Sequence, residues 1–137
     1  MLYNRKKAVQ FAKENIYAHN ADYHGSDGGA TSFVSRCLQS GFNSSWPAIA
    51  DASLLYHSLI ECGLADEKEP GSLIPGDIVQ IKTSCAAPYK SLLVTGAGED
   101  LQPLVSARAY VCGNRRLDSY LCHKVRCLHI KTDDKRI

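Results

Sequence analysis

The sequence predicts an α+β domain in which N-terminal helices pack on a mainly antiparallel sheet. Two observations carry this. Up to Gly63 the apolar residues recur at helical spacing, and from Leu73 onward they fall in short runs rich in Val, Leu and Ile, bounded by Pro and Gly. Helices first and strands second is the order of an α+β fold with an antiparallel sheet. A length of 137 residues suits one domain, residues 1–137, and is enough to bury a core.

The first helix is expected to start at Asn4, a good N-cap residue, and to run to about Tyr17. Ala8, Val9, Phe11, Ala12 and Ile16 form its apolar stripe. His19 to Gly29 is rich in Asn, Asp, Ser and Gly and reads as a loop. The second helix is the clearest signal: Ala30, Phe33, Val34, Cys37 and Leu38 lie on one face, with Gly41 as its stop. Trp46-Pro47 opens a third segment, in which Asp51 can cap, Gly63 can end the helix, and Ala52, Leu55, Leu59 and Cys62 share a face. Ala65 to Ser72 reads as a polar connection. Strands are expected at Ile78–Lys82, Leu92–Thr95, Leu104–Ala107 and His123–Lys131. The charged tail after Lys131 is expected to fray.

Composition removes several function classes. Lys+Arg is 16 against Asp+Glu 14, a net charge of +2, so no concentrated basic character marks a nucleic-acid binder. Hydrophobic residues at 45% and charged residues at 22% are ordinary globular usage, which argues against disorder. No apolar run reaches the length of a membrane span. No apolar signal segment follows the opening residues, so the expectation is a cytoplasmic protein or a mature piece of a longer one. The 6 cysteines include no CxxC pair and are read as free, mostly buried thiols.

A one-sided helix that follows a glycine pair is suited to a nucleophile, because its N-terminal N–H groups favour a thiolate. There the residues carry a resemblance. Gly29-Ala30-Thr31-Ser32-Phe33-Val34-Ser35-Arg36-Cys37-Leu38 resembles the Asp-Cys-Thr-Asn-Phe-Val-Ser-Gln-x-Leu signature of an amidase domain family. That family is similar to the NlpC/P60 and CHAP cysteine hydrolases, all of papain-like fold. Tyr3-Asn4-Arg5-x-x-Ala8-Val9-x-x-Ala12 resembles its first helix, and Pro75-Gly76-Asp77-Ile78-Val79 the start of its sheet. Ser91-Leu92-Leu93-Val94-Thr95 resembles its His-x-x-x-Val-Thr strand from one residue past the His. Leu104-Val105-Ser106-Ala107 resembles the strand leading to a second His, and Lys124-Val125-Arg126-x-Leu128-His129-Ile130 the closing strand. The resemblance implies a papain-like, NlpC/P60-like architecture, cysteine-dependent amidase or peptidase chemistry without a cofactor, and a peptide, peptidoglycan-like or protein ligand.

The departures fall on the polar positions. Ala30 stands at the nucleophile position, Gly29 at the preceding Asp, Ser32 at the Asn and Arg36 at the Gln. Lys90 stands at the first His and Arg108 at the second, with the downstream acid near Val111. A methyl group has no lone pair, and lysine, ordinarily protonated at neutral pH, cannot act as a base. The expectation is a catalytically inactive amidase-like domain, a pseudoenzyme working as a binding or regulatory module. Lys90, Arg108, Arg36 and Ser32 would line a basic groove that takes a carboxylate, a phosphate or an acidic peptide. The alternative is a cysteine amidase or peptidase seen as an Ala30 variant, but one engineered change would leave Lys90 and Arg108 unexplained. A third reading is a small structural partner in a complex.

Other candidates are weaker. Cys37 lies within an apolar stripe and reads as core. Cys85, in the loop Thr83–Pro88, could be a relocated nucleophile but has no histidine near it in sequence. Cys122, His123, Cys127 and His129 suggest zinc by type. Alternation puts His123, Cys127 and His129 on one face and Cys122 on the other, which argues against a four-ligand site, and no metal is expected. His19, His24 and His57 show no partner pattern.

Overall fold

The computed structural model describes residues 2–16, 29–98, 100, 102–107, 112–120 and 124–131. Among these, three α-helices precede a six-stranded sheet. The helices are α1 (Arg5–Asn15), α2 (Ala30–Gly41) and α3 (Ala52–Glu61), and the strands β1 (Ala65–Glu67), β2 (Ile78–Lys82), β3 (Lys90–Ala97), β4 (Pro103–Ala107), β5 (Cys112–Arg116) and β6 (Lys124–Ile130). The strand order is β1-β6-β2-β3-β4-β5, and every neighbouring pair is antiparallel. The α+β class and the helices-on-sheet layering are as the sequence predicts.

Both expected caps form. The Asn4 side chain accepts from the Lys7 N–H at 3.1 Å, and Asp51 accepts from the Leu54 N–H at 3.0 Å. Each satisfies a donor that the first helical turn leaves unpaired. α2 stops at Gly41, as expected, though not through a left-handed turn at that residue. The left-handed turn falls instead on Asn43 and Ser44, at φ 54° and 66°. Gly41 is needed because Tyr3 crosses it: a Cβ there would lie 2.8 Å from Tyr3 Cδ1 and 3.2 Å from the Asn4 carbonyl. Cys62 departs from expectation. It sits at the α3 C-cap and is exposed.

The sheet buries both faces. On the helix side, Phe33, Leu38, Leu55 and Leu59 meet Ile78, Leu93, Leu128 and Ile130. On the other side, Val79, Ile81, Leu92, Val94, Val105 and Cys127 form a second core. Leu73 and Leu117 close it, the first directly after the 3₁₀ turn Pro70–Ser72 and the second within the turn Leu117–Ser119. Two strands lie outside the predicted set. β1 is three residues in a segment that reads as polar connection, and β5 is Cys112–Arg116. No described helix is long and apolar enough to cross a membrane.

Candidate functional site

The first turn of α2 packs on the start of β3. Gly29, at φ 90°, delivers the chain into the helix without a side-chain cap. Ala30 follows and is fully buried. Thr31 faces the sheet, and its hydroxyl lies 2.7 Å from the Ser91 hydroxyl. Strand alternation then decides what faces the helix. Ser91 and Leu93 point to the helix side, while Leu92 and Val94 belong to the opposite core. Lys90 pairs with Ile81, a residue of that opposite core, and so starts from the face away from α2. The β3 side chain that meets the first turn of α2 is thus that of Ser91, through Thr31, one residue past the position where the resemblance expects an imidazole.

A polar row continues across the sheet from Ser91. Register places Gln80 of β2 opposite Ser91 and Arg126 of β6 opposite Gln80. Gln80 donates through Nε2 to the Ser91 hydroxyl at 3.0 Å and to the Ala52 carbonyl, in the first turn of α3, at 2.9 Å. Arg126 Nε donates to Gln80 Oε1 at 2.7 Å. Thr31, Ser91 and Gln80 are all 0% exposed. Toward solvent the row ends in a stack, with the Arg126 guanidinium carbon 3.9 Å from the Tyr56 ring centroid and 3.8 Å from that of Tyr89. The Tyr56 hydroxyl donates to Glu67, which pushes its own pKa up. Lys82 extends over the same Tyr89 ring at 5.3 Å.

A separate buried acid anchors the other end of β2. Asp77 is fully buried yet fully engaged: Arg5 Nη1 donates to it at 2.7 Å, the backbone N–H groups of Ile130 and Ile74 donate at 2.9 Å, and His129 Nδ1 lies 2.9 Å away. The Tyr3 hydroxyl donates to the Gly76 carbonyl at 2.7 Å. The Tyr3-Asn4-Arg5 and Pro75-Gly76-Asp77 motifs therefore clasp each other. Gly76 has φ 99°, and a Cβ there would stand 3.0 Å from Arg5 Cγ. Gly76→Ala is expected to destabilise by about 1–3 kcal/mol, because it adds backbone strain and displaces Arg5. A urea midpoint equal to wild type would contradict this.

The predicted residues are only partly brought together. Ser32 and Arg36, one turn apart, lie on the partly exposed stripe of α2, while Ala30 is sealed beneath its first turn. Arg108 and Val111 lie outside the described residues, as do Cys122, His123, His19 and His24. Cys37, Cys62, Cys85 and Cys127 are free. Two of them, Cys62 and Cys85, are exposed rather than buried. Burial pushes the Cys37 thiol well up and that of Cys127 up to about 11, the reverse of what a nucleophile needs. Neither described histidine, His57 or His129, hydrogen-bonds a thiol. Cys127 and His129 share a strand face, but His129 turns to Asp77, and no group of three metal-ligating side chains forms among the described residues.

Two clefts lie elsewhere. One of about 600 Å³ is bordered by Tyr3, Arg5 and Gly41, and one of about 360 Å³ by Arg5, Lys13 and Thr95. Neither is lined by Ala30, Lys90 or Arg36. The sequence reading passed over Ser91, Gln80, Tyr56, Tyr89 and Arg126 as site residues, and no motif or spacing links them. No protein-family model, curated protein or solved structure matches the chain.

Proposed function

We propose that the chain is a non-catalytic amidase-like domain of papain-like architecture, acting as a binding or regulatory module for a peptide, peptidoglycan-like or protein ligand. One observation carries the reading. Where the resembling enzymes place a thiol facing an imidazole, this chain has the buried Ala30 methyl beside a Thr31–Ser91 hydroxyl pair, each hydroxyl hydrogen-bonded to the other. Neither can draw a proton from a nucleophile near neutral pH. The Ser91 hydroxyl is further held by Gln80, so the row reads as a structural seam. The resemblance of five further segments in the same order supports the architecture.

Wild type and Ala30→Cys are both expected to leave peptide-amide substrates uncleaved. Among the described residues a thiol at position 30 would meet only the Thr31 and Ser91 hydroxyls and no general base, which alone is worth a factor of about 10²–10⁴. Release of a fluorogenic amide leaving group measures this. Turnover by wild type overturns the reading. Turnover by Ala30→Cys alone shows a working base beside that position and overturns it as well.

A further inference from the structure

We infer that the helix-side face of the sheet, at the end where Lys82, Lys124 and Arg126 meet Tyr56 and Tyr89, binds an acidic peptide segment in extended form. The inference rests on the non-catalytic reading above and names the ligand class for it.

Charge is the first ground. Lys82 and Lys124 are directly opposed across β2 and β6, and Arg126 lies two residues along β6 on the same face. Like charges in direct cross-strand register are destabilising. Among the described residues no carboxylate pairs with any of the three: the ion pairs there join Arg5, Arg116, His129 and Lys131 to other acids. Glu67 accepts the Tyr56 hydroxyl instead. Three cations with no ion-pair partner among the described residues stand out on a chain whose net charge is only +2.

Construction is the second ground. Arg126 is fixed rather than waving in solvent: two tyrosine rings hold its guanidinium plane, and Gln80 holds its Nε. Its Nη2 is buried and has no hydrogen-bond partner. A charged donor without an acceptor is costly, and native structures keep few of them. The cluster is thus pre-ordered and electrically incomplete, which lowers the cost of ordering side chains on binding.

Spacing selects a peptide over a small anion. Arg126 and Lys124 are separated by two strand residues, about 7 Å. Alternate side chains of an extended peptide repeat at the same distance. Acidic residues at positions i and i+2 of a ligand would meet both cations in register, with Lys82 beside them.

The test is a titration of the full chain, followed by amide chemical shifts, with an oligoglutamate peptide, an uncharged oligo(Gly-Ser) peptide and inorganic phosphate. Oligoglutamate is expected to shift residues of β2, β6 and α3 around Lys82, Lys124 and Tyr56, and the uncharged peptide to shift nothing. Lys82→Glu with Lys124→Glu is expected to weaken the oligoglutamate about tenfold or more, or ~1.4 kcal/mol. Lys6→Glu with Lys13→Glu makes the same charge change on α1 and should leave this affinity within about twofold. Equal weakening by both pairs would reduce the effect to net charge and overturn the site. Phosphate binding there as tightly as the peptide would replace the peptide by a free anion and overturn the ligand class. Absence of oligoglutamate shifts overturns the inference while leaving the hydrolysis result, and so the non-catalytic reading, untouched.

Discussion

Asp77→Ala is expected to destabilise the protein by about 3–5 kcal/mol, the cost of removing one partner of a buried ion pair. The carboxylate is fully buried and gathers donors from three parts of the chain: Arg5 on α1, Ile74 ahead of β2, and Ile130 with His129 on β6. Arg5 also donates to the Pro75 and Ile130 carbonyls, so losing the acid frees a mostly buried guanidinium against carbonyl oxygens alone. A loss of this size is a large share of the 5–15 kcal/mol typical of a domain. Urea unfolding followed by far-UV circular dichroism measures it. Asp77→Asn keeps one acceptor and the shape, and should recover part of the loss. A destabilisation below about 1 kcal/mol for Asp77→Ala would mean that the clasp contributes little, against the general cost of stranding a buried charge.

Gln80→Leu is expected to cost about 2–4 kcal/mol although it keeps the side-chain volume. It removes the side-chain donor from the Ala52 carbonyl and one partner from the Ser91 hydroxyl, and strips Arg126 Nε of its acceptor. A hydrogen bond to a charged group contributes about 1.5–3 kcal/mol, and buried groups left unsatisfied add to that. The row should behave as a coupled unit. A cycle with Arg126→Met is expected to show an interaction energy of about 1 kcal/mol or more, because the second change removes the group that the first strands. Strict additivity would mean that Arg126 does not depend on Gln80, which would also weaken the case for a pre-ordered cationic platform.

The elements legible in the sequence were those whose cause is local. Asn4 and Asp51 cap the helices they precede because the hydrogen bond closes within three residues. The stripe Ala30, Phe33, Val34, Cys37 and Leu38 meets the core because helical periodicity alone puts those residues on one face. β1 and β5 escaped notice because Ala65–Glu67 and Cys112–Arg116 are short and polar, and their strand character comes from partners distant in sequence. Gly41 ends α2 as its position suggests, but that its missing side chain lets Tyr3 pass is visible only in the packing.

The candidate site divides along the same line. By itself the sequence determined that no thiol stands at position 30 and no imidazole at position 90, since residue identity survives any fold. Which β3 side chain meets the first turn of α2 is a question of strand parity, and a single step of register exchanges Lys90 for Ser91. Only the tertiary structure could bring Thr31, Ser91, Gln80 and Arg126 into one line, because each comes from a different helix or strand and hydrogen-bond register alone sets their order.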